Sequence, residues 1–527
     1  MNLWLSAGVF LVWFLPVVAW AQDTTAPASF LVNSLQAIAI APGESKKIAI
    51  AIERKGHQEP IVVTATNLPD GVAIEEVTVP KDETEATLVV VAAKDAKPRV
   101  RSAVISATDG SLTSQDALVV RISDGEDKLP PGMLDLEVMK KYLEKSDSYA
   151  SLRRRGSIGG RFTARTKRAL ADFYGGTDES EAAVMKGLAW LARTQQADGS
   201  WSLKPPSEEV ETSSEGVDTK GSQTDENLTA ATAFGILPFL AEGVTHRFSP
   251  EGQPELAGYR EVVQKGLVFL ASKQNRSSDD NDGSLGGGMY AHAIGTIALC
   301  EAYGLSGDER TRFNAQLALK YLLNAQHRAG GGWRYGPNQP GDMSVTAWVF
   351  LGIRSAQLTG MPVLPAVLER ANRFVDSCAA GPSEAPNSRY AYEPGTDAKL
   401  SLSAAGLLTR QYLGWEKDTS DLVTGCAYLM ENKPPTSSSA LGNIYFYYYA
   451  TQVLHHMEGT DFDLWNHLVR EHVLRAQEKE GINEGSWSPT GVDWGEKGGR
   501  MYATALALLT LQAPYRHLPM FRQFKLY

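Results

Sequence analysis

The chain has 527 residues, 43% of them hydrophobic and 21% charged, a balance that excludes global disorder and leaves room for two or three domains. Its net charge of -10 excludes a broad phosphate-binding face, because nucleic acid needs a positive footprint and only local basic runs are present. Three cysteines, Cys300, Cys378 and Cys426, are too few and too odd in number for a disulfide framework, so buried free thiols are expected.

The chain begins with "LWLSAGVFLVWFLPVVAW", an uncharged apolar run, and "AWA" before Gln22 supplies the small-x-small pattern of a cleavage site. A signal peptide over residues 1–21 is expected, cut after Ala21. No lysine or arginine precedes the run, so an uncleaved anchor is the alternative, and membrane contact is expected only in that case. Beyond it no further window is apolar for about 18 residues, which predicts a soluble, periplasmic or secreted protein.

Residues 30–123 carry short β-branched runs: "LQAIAI", "KKIAIAIER", "IVVTATNLP", "GVAIEEVTV", "ATLVVVAAK", "VRSAVISAT" and "ALVVRIS". Turn signals such as "PGES", "NLPDG" and "TDGS" separate them. Seven strands at this spacing predict a small β-sandwich. The stretch resembles the immunoglobulin-like modules of exported proteins in architecture only, since their Cys and Trp are missing, and a spacer or glycan-contacting role is expected. Residues 124–180 read as a polar, basic and partly helical linker, with Arg153, Arg154, Arg155, Arg161, Arg165, Lys167 and Arg168 on a solvated helix face.

From residue 181 to 515 the chain repeats itself. "AAVMKGLAWLARTQ", amphipathic, leads through a glycine turn to the apolar "ENLTAATAFGILPFL". Five further pairs follow: "EVVQKGLVFLASKQ" with "YAHAIGTIALCEAYG", "AQLALKYLLNAQ" with "DMSVTAWVFLGIRSAQ", "VLERANRFVDSC" with "KLSLSAAGLLTRQYLG", "DLVTGCAYLMEN" with "IYFYYYATQVLHHM", and "LWNHLVREHVLRAQ" with "RMYATALALLTLQ". Six hairpins of one amphipathic and one apolar helix predict a mainly α protein, an (α/α)6 toroid with the apolar helices inside, and an open solenoid is the alternative. Gln195 with Trp201, Gln326 with Trp333 and Gln477 with Trp487 recur at the joints and read as structural staples. The glutamine is expected to reach backbone amides of the next helix while the tryptophan covers the joint.

"KGLAWLARTQQADGSW" resembles the glutamine-tryptophan repeat of squalene cyclases. The region 181–515 is similar to the α/α toroid of the terpenoid cyclase and protein prenyltransferase superfamily, particularly its exported squalene-cyclase-like repeat proteins. The resemblance implies the fold, whereas activity must come from the site. The proton-donating Asp-x-Asp-Asp-Thr-Ala motif of the cyclases is matched by "DMSVTA": Asp342, Thr346 and Ala347 agree, but Ser344 and Val345 stand in place of the acid and its neighbour. Prenyltransferase zinc would need Asp, Cys and His on one wall. Neither Cys300 with His292 nor His455 with His456 supplies that set, and "SSDDNDGS" reads as a solvated turn. No metal and no cofactor are expected.

If the six apolar helices run parallel, their N-termini gather at one mouth with free amides and about half a positive charge each. The residues placed there are Tyr290, His292, Arg334, Tyr335, Asp342, Tyr390, Lys399, Tyr445, Tyr448, Arg500 and Tyr502. Aromatic rings pack on apolar faces and arginines pair with acids, so the expected ligand is an anionic glycan or an isoprenoid-type lipid with an acidic head. Whether the chain is an enzyme stays open. A polysaccharide lyase is the alternative, and it would need a Tyr290 or His292 base beside Arg500. A divergent terpenoid cyclase is a third reading.

Overall fold

A computed structural model describes residues 28–123, 125, 156–204 and 227–523. The N-terminal run and Arg153, Arg154 and Arg155 lie outside the described residues.

The first domain holds nine strands among the described residues: β1 (Ser29–Asn33), β2 (Gln36–Ile40), β3 (Ser45–Lys55), β4 (Ile61–Thr66), β5 (Val72–Ile74), β6 (Val77–Val79), β7 (Glu85–Ala92), β8 (Arg99–Thr108) and β9 (Thr113–Ile122). They form two sheets, ordered β1-β3-β7-β5 and β2-β9-β8-β4-β6. Alternate residues point inward, so Ile48, Ile50 and Ile52 of β3 are buried between exposed neighbours. Seven strands were expected, and both extra ones arise where the chain changes sheet. "GVAIEEVTV" splits at Glu75 and Glu76, with β5 pairing β7 in one sheet and β6 pairing β4 in the other. The run before "LQAIAI" supplies β1, and the step from β1 to β2 is held by Asp116 Oδ2, which accepts from the amides of Ser34 (2.7 Å) and Leu35 (2.9 Å).

The second domain is a ring of two helical layers. The outer helices are α2 (Asp178–Thr194), α4 (Tyr259–Lys273), α6 (Glu309–Asn324), α8 (Pro365–Ser377), α10 (Ser420–Glu431) and α12 (Thr460–Ala476). The inner ones are α3 (Leu228–Ala241), α5 (Gly288–Ser306), α7 (Met343–Leu358), α9 (Leu400–Tyr412), α11 (Ile444–Met457) and α13 (Gly495–Leu511). The layers follow from polarity: α3 is buried at every residue but its first, whereas α8 buries only the stripe Val367, Ala371, Phe374 and Val375. Each inner helix packs on the next and α13 returns to α3, so the ring is closed and the solenoid alternative is excluded.

At the joints the glutamines bond carbonyls instead of the amides expected. Gln195 Nε2 donates to Gly199 O (3.0 Å) and to Val262 O (2.9 Å). Gln326 Nε2 donates to Gly331 O (2.7 Å) and Val367 O (2.9 Å). Gln477 Nε2 donates to Gly485 O (3.0 Å) and Ala183 O (2.8 Å). The second acceptor always belongs to the next outer helix, and for Gln477 that helix is α2, so the last joint fastens the sixth unit to the first. Trp201, Trp333 and Trp487 donate their indole N–H to Leu191 O, Leu322 O and Val473 O, each at 2.8 Å, while their amides donate to Thr232, Thr346 and Thr504 of the inner helices. The turn glycine is needed for space: Gly331 sits at φ 80°, and a Cβ there would lie 2.0 Å from Arg370 O. A fourth joint was missed because Leu285 takes the tryptophan's place. There Gln274 Nε2 donates to Asn314 O (2.9 Å) and Gly283 O (3.3 Å).

Residues 156–173, including helix α1 (Ala164–Phe173), are part of the ring's base and not a solvated linker. Arg165 and Arg168 are exposed as expected, but Arg161 and Lys167 are buried because they have buried acidic partners. Arg161 Nη1 donates to Glu301 Oε2 at 2.7 Å, and Lys167 Nζ pairs with Glu242 Oε2 at 2.5 Å. Helices α14 (Ala513–Arg516) and α15 (Met520–Gln523) complete the base, with Arg516 Nη2 donating to Glu301 Oε1 at 2.7 Å and the Tyr515 hydroxyl to Glu242 Oε1 at 2.6 Å. The sandwich is docked on outer helix α12 through the buried pair of Arg121 Nε and Asp463 Oδ2 (2.6 Å) and a Ser102 to His467 bond (2.8 Å). Among the described residues no helix is long and apolar enough to cross a membrane.

Substituting Gln326→Ala leaves two buried carbonyls without their donor. In chemical denaturation it is expected to cost about 1–3 kcal/mol while the helical circular-dichroism signal is kept. An unchanged stability would show that the glutamines do not staple the units.

Candidate functional site

The N-terminal residues of neighbouring inner helices bond one another, which puts these helix starts at one face of the ring. Asn227 Nδ2 donates to Gly287 O (2.7 Å), the Tyr290 hydroxyl to Ser344 Oγ (2.5 Å) and Asn443 Nδ2 to Ser401 Oγ (3.0 Å). The opposite face is covered by residues 156–173 and 513–523. A small cavity there, between Glu301, Tyr412, Tyr448, His456 and Arg516, has room for about one water molecule.

Several of the amides at the mouth are already bonded. Asn227, Asp342 and Asn443 cap their helices by accepting from the amides of Ala230, Val345 and Phe446, and the amides of Met289, Met343 and Met501 donate to the carbonyls of Tyr335, Tyr392 and Leu203. Cap side chains and the carbonyls of the preceding turns therefore already occupy part of the positive end that bare helix starts would offer.

What gathers at the mouth is a carboxyl group among tyrosines. Asp342 is 0% exposed. Its Oδ1 accepts from Ser344 Oγ (2.6 Å) and from the Val345 amide (2.9 Å). Burial raises its pKa against the opposing pull of these two bonds. Oδ2 has no partner of good hydrogen-bond geometry among the described residues, although the Tyr392 hydroxyl is close enough to favour the charged form. The hydroxyls of Tyr445, Tyr449 and Tyr502 are likewise buried and without a partner of good geometry, although those of Tyr445 and Tyr449 lie near each other, and burial holds all three protonated far above the usual tyrosine range.

Beneath them the axis is filled. Trp348 of α7 stacks on Tyr448 of α11 at 5.6 Å and 17°, and meets Phe234 of α3 edge-on at 5.8 Å. These are alternate helices of the ring, so their side chains touch across its centre. Above, on the rim, Tyr335 is 51% exposed and shares a 2.6 Å hydroxyl contact with Tyr392. Arg334 lies over both rings, 5.6 and 5.8 Å from their centroids, and pairs with Glu393 at 2.6 Å.

Of the residues picked from sequence, Tyr290, Asp342, Tyr445 and Tyr502 belong to this cluster, and Arg334 and Tyr335 to its rim. Tyr448 lies deeper, where Arg516 Nη1 donates to its hydroxyl at 3.4 Å. His292 is a wall residue: Nδ1 accepts from the Leu285 amide (3.2 Å) and Nε2 donates to Ala318 O of α6 (2.9 Å). It fills the role that Thr232, Thr346 and Thr504 play at the tryptophan joints, and burial lowers its pKa to about 4. Tyr390 is a staple as well, its amide donating to Ser403 Oγ at 3.1 Å. Arg500 faces the outer layer, bonded to Ser486 Oγ at 3.1 Å and near Glu478 at 3.5 Å. Lys399 precedes α9, its amide donating to Tyr390 O at 3.0 Å. Tyr290, His292 and Arg500 therefore do not converge on one substrate position, as the lyase reading required. Reasoning from sequence missed Tyr392, Tyr449 and Ser344 as members of the site. The run "YFYYYA" and the motif position of Ser344 were the available signals.

Cys300, Cys378 and Cys426 are separate buried thiols. Among the described residues no group of three or more His, Cys, Asp or Glu side chains is placed to hold a metal ion.

No protein family and no curated protein matches the sequence. Solved structures similar to part of the chain include the alpha-1,6-mannanase GH76A of Salegentibacter sp. HEL1_6, as an inactive variant with alpha-1,6-mannotriose, at 11% identity and a TM-score of 0.43. That similarity covers 64% of this chain and 99% of the mannanase. The type II terpene cyclase MstE from Scytonema, without ligand, is similar at 13% identity and a TM-score of 0.42 over 64% of this chain and 99% of the cyclase.

The buried histidines make stability depend on pH. His292, His455 and His467 all have pKa values lowered by burial from 6.5 to about 4. Between those limits these histidines bind more protons in the unfolded chain than in the folded one, so the stability they contribute is intact above pH 6.5 and falls as pH drops toward 4. Denaturation curves across that window should show the loss, and His292→Asn should make it shallower. The same pH dependence in His292→Asn as in the parent would contradict the assignment of His292 as a neutral wall residue.

Proposed function

We propose that the toroid binds a neutral, hydroxyl-rich glycan in the N-terminal mouth of its ring, in a protein that its N-terminal segment directs out of the cytoplasm. The carrying observation is a cluster of buried polar atoms without hydrogen bonds of good geometry, Asp342 Oδ2 and the hydroxyls of Tyr445, Tyr449 and Tyr502, below the exposed ring of Tyr335, which a ligand reaches by displacing rim side chains. Buried polar groups are costly unless they are bonded, and a sugar offers several donors and acceptors on one ring together with an apolar C–H face for an aromatic platform.

An acidic head group is the weaker fit. Arg334 and Arg500 already face Glu393 and Glu478, and an incoming anion would meet the Asp342 carboxyl. An isoprenoid tail is weaker still, because the mouth is lined by hydroxyl and carboxyl groups and the axis below it is filled by Phe234, Trp348 and Tyr448. Cyclase chemistry has no support in Ser344, which spends its hydroxyl on Asp342 and accepts from Tyr290.

The test is thermal shift of the full chain against neutral oligosaccharides (cello-, manno-, xylo- and chito-series), oligouronates and polyprenyl phosphates. A neutral series should raise Tm, by about 2.7 kcal/mol of added stability at a concentration 100 times Kd. Asp342→Asn and Tyr335→Ala should each weaken that binding about tenfold or more. A shift with oligouronates or polyprenyl phosphates alone would overturn the proposal.

A further inference from the structure

Two large aromatic side chains stand exposed on the rim of the mouth. Tyr335 lies in the segment that leads into α7, and Trp494, 66% exposed, immediately precedes α13. Trp494 lies in a turn before the break of α13 at Gly499, beside Gly442 at the start of α11 (Asp493 N to Gly442 O, 3.2 Å), while Tyr335 O accepts from the Met289 amide of α5 beside α7, so the two stand on opposite sides of the closed ring of six. With neighbouring helix axes about 8–10 Å apart, opposite axes of a six-membered ring are about 16–20 Å apart. That span is several times the width of one sugar ring.

The backbone singles out Trp494 a second time. Its φ is 66°, in the left-handed region that bulky aromatic residues avoid and glycine enters freely. Its side chain meets Lys497, whose Nζ lies 5.3 Å from the ring centroid. A large apolar ring held in a strained conformation and turned toward solvent contributes little to packing, and such outliers cluster where a ligand is clamped.

We infer that Trp494 forms a second subsite on the far rim, and that the ligand is a glycan chain lying across the mouth from Tyr335 to Trp494. The inference rests on the glycan reading of the mouth. The two exposed rings stack on sugars toward the ends of the chain, and its middle lies over Asp342 and Tyr502. Lys497 keeps the Trp494 ring in place through its ammonium group.

The experiment titrates the full chain with cello- and manno-oligosaccharides, from the monosaccharide to the longest soluble oligomer, in parent, Trp494→Ala, Trp494→Phe and Trp494→Gly forms. Affinity should rise with chain length until the mouth is spanned and then level off. Trp494→Ala should weaken the long oligomers about tenfold and leave the shortest binding ligand unchanged, while Trp494→Phe should retain most of the affinity. Trp494→Gly should lose the same affinity yet raise the ligand-free Tm, because glycine relieves the left-handed backbone. Binding that is independent of chain length, a Trp494→Ala variant that binds long oligomers like the parent, or a lower Tm for Trp494→Gly would overturn the second subsite and leave the glycan site standing. No binding to any sugar would overturn both readings.

Discussion

At the base of the ring one carboxylate, Glu301 on an inner helix, accepts from Arg161 and Arg516, residues 355 positions apart that bracket the whole repeat. Arg161 also donates from Nε to the Arg516 carbonyl (2.6 Å) and from Nη1 to the Leu240 carbonyl (3.1 Å), so it ties both ends of the helical ring to the C-terminus of the first inner helix. Burial acts to raise the Glu301 pKa, yet Arg516 and Arg161 hold it below the ordinary carboxylate value. A buried pair of this kind is weak evidence of net stabilisation, but removing one partner leaves an uncompensated buried charge and costs about 3–5 kcal/mol. The neighbouring set of Lys167, Glu242, Gln512 and Tyr515 repeats the device one helix away.

Closing the base in this way gives the molecule its polarity. The carboxyl-terminal ends of the inner helices, where carbonyl dipoles gather, are met by arginine and lysine. Their amino-terminal ends are met by Asn227, Asp342 and Asn443, which cap the helices and leave polar atoms over at the centre. Because Phe234, Trp348 and Tyr448 touch across the axis, the ring is a cup and not a channel. Above that aromatic layer the side chains near the helix starts carry buried hydroxyl and carboxyl groups.

Much of this architecture was legible in the chain because its determinants are local. A glutamine followed within ten residues by glycine and tryptophan two apart marked three joints, and the contrast between amphipathic and uniformly apolar helices marked the two layers. The fourth joint escaped because Leu285 replaces the tryptophan, although Gln274 and Gly283 keep their places. Arg161 and Lys167 could not be read correctly, since their partners Glu301 and Glu242 lie far along the sequence and nothing local distinguishes a buried arginine from a solvated one. His292 carried the opposite error: its residue type suggested chemistry, but its position repeats that of a structural threonine. Asp342 and the tyrosines were found from their place at helix starts, whereas Trp494 is conspicuous only once its exposure and backbone angle are seen.

The closure of the ring is tested most directly by hydrogen–deuterium exchange of the Glu301→Gln variant against the parent. If Glu301 holds the two ends of the ring together, the amides of α3, α5 and α13 should lose protection as one unit while strands β3, β7, β8 and β9 of the sandwich exchange as in the parent. Faster exchange confined to residues 156–162 and 513–523, with the inner helices unchanged, would contradict the account.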